Sequence, residues 1–245
     1  MELKSYIDYL VNFIRETVQK ANADGVIVGI SGGIDSAVVA NLAKLAFPNN
    51  YLTVWMPINS SKEDLDCVQE LISQNNLNST TVELALTFNT LKSDLEKTNI
   101  ELSKLSLANS KARLRMTTLY ALGQAQNYLV LGTDNMDEWH IGYFTKFGDG
   151  GVDIVPLIHL LKSEVRAAAK ILNVPESIIN RKPTAGLWEN QTDEQEIGFS
   201  YDEIDDYLLG KPSSNLLIEK IDYLHKISEH KRNSAIQPKE YQRKK

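Results

Sequence analysis

One short string constrains this chain more than any other. Val26-Ile-Val-Gly-Ile30 runs straight into Ser31-Gly32-Gly33-Ile34-Asp35-Ser36, and that turn runs straight into Ala37–Leu45. The first segment, rich in β-branched residues, reads as a buried strand, and the last reads as a helix. A strand that enters a helix through a tight glycine turn is half of a parallel α/β unit. The alternation continues with strands expected at 51–57, 81–86 and 128–132 and helical material at 63–76 and about 87–122. Ahead of it, Leu3, Tyr6, Ile7, Leu10, Val11, Ile14 and Val18 recur at spacings of three and four, which predicts an amphipathic helix.

Helices alternating with strands imply a sheet covered on both faces. The expected fold is a Rossmann-like, doubly wound parallel sheet of about five strands flanked by helices. Ligands of such sheets sit beyond the carboxyl ends of the strands, so the loops at 31–36 and 133–138 should share one crevice. Past the sheet, four glycines in Gly142–Gly151 suggest a loop that moves and hence a lid. Helical spacing returns at 160–172, then at about 202–209 and 214–231, before a basic tail at 239–245. With no repeat and no linker, the expectation is a single domain, 1–245, carrying a helical C-terminal extension at about 200–235.

Composition narrows the partners. A net charge of −6 gives no overall basic field for nucleic acid. The apolar runs are strand-sized rather than the roughly 20 residues of a membrane span, and the N-terminus lacks a leader pattern, so a cytoplasmic location is expected. Cys67, the only cysteine, reads as a packed thiol rather than a nucleophile. His140 and His159 have no partners for a zinc site or a triad.

The turn at Gly29, Ile30, Ser31, Gly32, Gly33, Ile34, Asp35 and Ser36 is built for phosphate. Glycines let backbone amides converge on an anion, the serine hydroxyls add donors, and the following helix aims its positive end at the same point. It lacks the GxxxxGK[ST] lysine. A carboxylate at Asp35 would repel polyphosphate unless a cation intervened, which makes Asp35 a Mg²⁺-ligand candidate; a helix N-cap at Asp35 or Ser36 is the alternative.

The SGGxDS string resembles the loop of the N-type ATP pyrophosphatases (adenine nucleotide alpha hydrolase-like fold). Those enzymes adenylate a substrate oxygen, release pyrophosphate, and let a nucleophile displace AMP. Within that family the chain is most similar to NAD synthetases. The resemblance rests on Asn109-Ser-Lys-Ala-Arg-Leu-Arg-Met116, Gly132-Thr-Asp-Asn-Met-Asp-Glu138, Gly142–Asp153, Pro183-Thr184-Ala185 and His230-Lys-Arg232, and covers about residues 5 to 235. One departure is Phe147, where the family often has tyrosine.

Carried over position by position, the resemblance implies that Gly29–Ser36, Thr133, Lys162 and Thr184 bind ATP as co-substrate and that Asp35 and Glu138 hold Mg²⁺. It likewise implies that Arg113, Lys146, Asp153, His230 and Lys231 bind deamido-NAD, with Asp35, Lys162 and Asp153 catalytic. Physical chemistry agrees where it speaks: Glu138 lies just past a strand end, and two facing carboxylates call for a cation. Arginine suits a substrate carrying phosphate and carboxylate, although KARLR read alone is an ordinary basic helix face, and His230 an ordinary helix-end histidine.

The implied activity is amidation of deamido-NAD to NAD by a homodimer with substrate sites near the subunit interface. Glutamine-dependent members carry an additional amidohydrolase domain with a nucleophilic cysteine, so free ammonia is the expected nitrogen donor. Two alternatives remain at this level. A GMP synthetase-like or tRNA lysidine synthetase-like ligase would keep the loop but not the 132–153 block, and a non-catalytic nucleotide-binding module would not need Asp35 and Glu138 together.

Overall fold

The computed structural model describes residues 2–183 and 192–243. In chain order the first half comprises α1 (Leu3–Lys20), β1 (Gly25–Ile30), α2 (Ile34–Ala46), β2 (Tyr51–Trp55), α3 (Lys62–Gln74) and β3 (Ser79–Thr81). Next come α4 (Ala85–Glu96), α5 (Lys104–Gln126), β4 (Tyr128–Val130), α6 (Met136–Ile141) and α7 (Lys162–Ile171). The chain ends in five short or medium helices, of which α8 (Glu176–Ile179) and α9 (Asp193–Ile197) precede α10 (Tyr201–Leu208), α11 (Asn215–Ile227) and α12 (Glu229–Arg232).

β1 is the axis of the sheet. It pairs in parallel with β2 on one side and β4 on the other, giving the order β3-β2-β1-β4. Side chains alternate across it: Val26, Val28 and Ile30 enter one apolar cluster, shared with α1, α2, α3 and α7, while Ile27 enters the other, under α4 and α5. Each fully buried Val or Ile contributes about 1.5–3 kcal/mol, so this alternation fixes the strand's register firmly. Both faces are therefore covered, as expected. Cys67 is buried in the first cluster, and burial pushes its thiol pKa up.

The sheet has four strands, not about five. A fifth position is reduced to one parallel bridge, between Leu131 and Ile154. The strand expected at 81–86 also shrinks to Ser79–Thr81, because Leu84-Ala85-Leu86 opens a helix. Alternation would have buried Leu86, yet it is 78% exposed, while Leu84 and Phe88 are buried one helical turn apart. Ala and Leu favour the helix intrinsically, and the helical spacing places both apolar anchors on β2.

Strand order reverses between β1 and β4, so their carboxyl ends open the crevice where ligands of such sheets sit. Beside it a third apolar cluster joins α6 to α10 and α11 through Ile141, Tyr201, Ile204, Leu217 and Ile221. The C-terminal helices thus press on the short helix that leads out of β4.

Candidate active site

The phosphate loop is organised by its own side chains. Ser31 N donates to Ser36 Oγ (3.2 Å), Gly33 N donates to Ser31 Oγ (3.2 Å), and Ser36 Oγ donates to Gly33 O (2.9 Å). Gly32 has φ +82°, a conformation that favours glycine, and its backbone passes close to Asp64 and Cys67. Gly33 is the N-cap of α2, with no side chain capping the helix, so the cap alternative for Asp35 and Ser36 is not the one adopted. The helix's first amides and its positive end face the loop.

Asp35 instead turns towards β4. Its Oδ1 accepts from Asn135 Nδ2 (2.9 Å) and its Oδ2 from Lys162 Nζ (2.6 Å). The same ammonium donates to Glu138 Oε1 (3.1 Å) and stands 4.6 Å from the centre of the Tyr201 ring. Lys162 is 2% exposed, which would be costly for a lone charge and is tolerable only between partners. Burial works against its charged form, but Asp35 and Glu138 outweigh that and push its pKa up. Glu138 pays the converse penalty: burial, opposed by Lys162 and reinforced by Asp35, pushes its carboxyl up to about 7.

Local capping explains how Glu138 is aimed. Asn135 caps α6, its Oδ1 accepting from Asp137 N and Glu138 N (3.1 Å each), while Asn135 N donates to Glu138 Oε2 (3.3 Å). α7, which begins at Lys162, is held by two buried aspartates at its positive end. Asp137 Oδ2 accepts from Lys162 N (2.8 Å), and Asp205 Oδ2, from α10, accepts from Ser163 N (3.2 Å). Tyr201, one turn before Asp205 and fully buried, places its hydroxyl 3.0 Å from Glu138 Oε1 and 3.1 Å from Asp193 Oδ2.

These groups line a cavity of about 280 Å³. Its wall includes Gly29, Ile30, Ser31, Gly33, Ile34 and Asp35, with Ser36, Thr133, Glu138 and Lys162 beside them. Gly32 is buried behind the loop, and Thr184 lies outside the described residues. Asp134 also faces the cavity, with an Oδ2 that has no hydrogen-bond partner among the described residues, and burial followed by Asp149 pushes its carboxyl well up.

Among the described residues no three His, Cys, Asp or Glu side chains form a ready-made metal cage. Mg²⁺ seldom needs one, since it commonly takes one or two carboxylates together with substrate phosphates and water. Asp35 and Glu138, both within hydrogen-bond reach of one ammonium and backed by the buried acid Asp134, are a donor set that fits such a cation.

The remaining sequence-derived candidates gather at the rim. Arg113 Nε donates to Lys146 O (3.2 Å), Lys146 Nζ donates to His230 O, and Lys231 Nζ donates to Gly142 O (2.7 Å) and Phe144 O (2.8 Å). Arg113 and His230 are exposed. Asp153, itself exposed, is apart from them: its Oδ1 accepts from Tyr120 OH (3.0 Å) and its Oδ2 from Val130 N (2.8 Å), beside β4.

The glycine-rich segment is knitted into this rim rather than loose. Thr145 Oγ1 donates to Asn109 Oδ1 (2.8 Å), Thr145 N donates to Asp149 Oδ1 (2.9 Å), and a side chain at Gly142 would meet Ser228 Cβ at 2.1 Å. Close packing also calls for glycine at position 142. Sequence reasoning did not single out Asn135, Tyr201, Arg115 or Arg181, all of which the structure brings to the cavity or its supports. The N-x-x-E spacing of Asn135 and Glu138 was the one readable signal, as a capping box.

Comparison with known proteins fits this geometry. The sequence profile of the NAD synthase family matches residues 6–245. The NH3-dependent NAD+ synthetase of Mesoplasma florum is 65% identical over 244 residues, covering 100% of each chain. An NMN synthetase from Francisella tularensis has a structure that matches with a TM-score of 0.92 at 40% identity, covering 97% of this chain and 99% of that one. The NH3-dependent NAD synthetase of Campylobacter jejuni matches with a TM-score of 0.80 at 30% identity, covering 98% and 100%. On its phosphate loop, its switch-point crevice and these full-length relatives, the chain belongs to the NAD synthase family.

Proposed function

We propose that this chain amidates deamido-NAD with ammonia at the expense of ATP, giving NAD, AMP and pyrophosphate. The observation that carries the reading is the convergence, in the switch-point crevice, of Asp35 from the phosphate loop with Glu138 and Lys162 from the helices beyond β4. A carboxylate is a poor electrophile until one oxygen becomes a good leaving group. In the first step an oxygen of the nicotinate carboxylate bonds to the α-phosphorus, and the bond to the bridging oxygen breaks with its electrons leaving on pyrophosphate. In the second, the ammonia nitrogen bonds to the activated carbonyl carbon, loses a proton, and AMP departs with the C–O bonding pair.

The chain's own part is electrostatic. Loop amides and Lys162 neutralise the departing pyrophosphate, and burial of the site strengthens those interactions. When bound by Asp35 and Glu138, Mg²⁺ would supply Lewis-acid neutralisation of the phosphate oxygens. The cavity is near the small end of ligand-site volumes, which suits ATP with only the reacting end of the second substrate beside it. The dinucleotide would then extend over the rim, where Arg113, Lys146, His230 and Lys231 lie, with Asp153 beyond them.

In this reading the chain acts as one functional unit and as a cytoplasmic homodimer. The stacked, partly exposed Tyr6, Tyr9 and Phe13 on α1 offer one apolar surface for self-association. No helix among the described residues is long and apolar enough to cross a membrane.

A second reading is favoured by one observation, the close match to the Francisella NMN synthetase. It would place the same chemistry on the mononucleotide. The test supplies Mg²⁺-ATP and ammonium with nicotinate dinucleotide or nicotinate mononucleotide in parallel, and follows NAD, NMN, AMP and pyrophosphate. Stoichiometric NAD, AMP and pyrophosphate from the dinucleotide is the expected result; preferential NMN formation would transfer the conclusion to the shorter substrate. Absence of AMP release with either would reject both.

A further inference from the structure

The Asn109–Met116 element holds two arginines, and the structure sends them in different directions. Arg113 is exposed at the rim, whereas Arg115 joins Ala112, Met116 and Leu119 in lining the cavity, the i, i+3, i+4, i+7 face of α5. Arg115 is partly buried and anchored through Nε to Met56 O (2.9 Å), just past the end of β2. Its two Nη groups make no hydrogen bond among the described residues, and no described carboxylate stands within ion-pair distance of it, Asp64 and Asp149 acting on it only from farther off. Arg181, across the cavity, is by contrast tied to Asp64 at 2.6 Å. An enclosed guanidinium with both terminal nitrogens uncommitted lacks the partner that burial ordinarily demands.

We propose that Arg115 grips the α-phosphate of the bound nucleotide, the phosphoryl group that remains on the substrate as the adenylate. The inference rests on the functional reading above and deepens it. The cradle at the end of β1 takes the outer phosphates. Arg115 reaches the cavity from the end of the neighbouring strand, about 4.8 Å across the sheet, where the next phosphate along the chain would fall. Trp55 and Met56 on the same side offer an apolar seat for the base. With Nε spent on Met56 O, the two Nη groups form the planar fork that matches two phosphate oxygens. The α-phosphoryl charge persists from ATP through the adenylate to AMP, so one fixed cation serves every step while Lys162 attends the departing pyrophosphate.

Equilibrium binding of three probes, AMP, adenosine and pyrophosphate, separates this role from a merely structural tie between α5 and β2. Wild type is expected to bind AMP more tightly than adenosine. Arg115→Met should weaken AMP by about ten- to a hundredfold while leaving adenosine and pyrophosphate unchanged, the loss expected for a hydrogen-bonded charge. Arg115→Lys, which keeps the charge and most of the volume, should recover part of that margin. Unchanged AMP affinity in a folded Arg115→Met variant, or an equal loss for adenosine, would overturn the proposal. So would a loss confined to the deamido-dinucleotide, which would assign the arginine to the other substrate. A wild-type protein that binds neither AMP nor pyrophosphate would bring down the reading of the whole site together with it.

Discussion

On the proposed reading the crevice and its rim have the same task, holding anions, and they are built for it in opposite ways. At the crevice a buried lysine sits between two largely buried carboxylates, and Asn135, Tyr201 and the ends of two helices fix all three. At the rim, Arg113, Lys146 and Lys231 donate to backbone carbonyls, with Arg113 and His230 exposed to water. The buried set is fully paired without any ligand, and removing one member would leave an uncompensated charge. The exposed members of the rim, Arg113 and His230, are screened by solvent and can change partners at little cost. If the proposed function holds, the paired, buried groups lie where bonds are broken and the exposed ones where a long substrate is gripped.

The sharpest way to break that contrast is Lys162→Met. It strands Asp35 and Glu138 together, so thermal unfolding should show a loss of about 3–5 kcal/mol and turnover should fall by about a thousandfold. If stability and turnover were retained, the buried set would not be a unit. A milder change is Tyr201→Phe, which keeps the ring under Lys162 but removes the hydroxyl from Glu138; kcat should drop about tenfold with little change in the dinucleotide KM.

At the rim, Arg113→Ala should do the reverse, raising the dinucleotide KM by about tenfold while shifting stability by less than about 0.5 kcal/mol. The KM effect should shrink as salt rises, which a steady-state titration in ionic strength would show. A drop in kcat at constant KM would place Arg113 with the buried set instead.

The smallest effect concerns pH. Burial, then the neighbouring Asp205 charge and its hydrogen bond, pushes the Asp137 carboxyl up from 3.8 to about 8. A carboxyl raised on folding contributes stability below its unfolded pKa and loses that contribution as pH climbs through the folded value. Wild type should therefore become less stable between about pH 5 and 8, and Asp137→Asn should flatten that slope in melting curves. An unchanged slope would show that the ionisation of Asp137 is not linked to folding.

What was legible in the sequence was local. The β1–loop–α2 unit, the amphipathic stripe of α1 and the helices near 202–209 and 214–231 each follow from patterns within a few residues of one another, and each formed within a turn or so of expectation. Leu84-Ala85-Leu86 was misleading, because a short apolar run serves strand and helix alike until packing chooses. The candidate site divides the same way. Asp35, Glu138 and Lys162 sit at element ends that the alternation of strands and helices locates. Tyr201 reaches Glu138 from 63 residues away, and Asp205 reaches the amide of Ser163, next to Lys162, from 42, by contacts that no local pattern announces. Nor could the sequence say which arginine of Lys-Ala-Arg-Leu-Arg faces inward, since that depends on how α5 is rolled against β2.

The reach of α10 also bears on the order in which the molecule can be assembled. During synthesis the segment bearing Asp35 and Glu138 emerges before Lys162, and well before Tyr201 and Asp205. Until Lys162 appears, closing the crevice would confine two acids without their counter-charge, and until α10 docks, the amide at Ser163 and the hydroxyl contact on Glu138 are missing. The nascent sheet can therefore form early, but its reactive mouth stays open until the late helices arrive. A growing chain would expose that mouth to water while it is still incomplete, and the last third of the sequence acts as the keystone that shuts it.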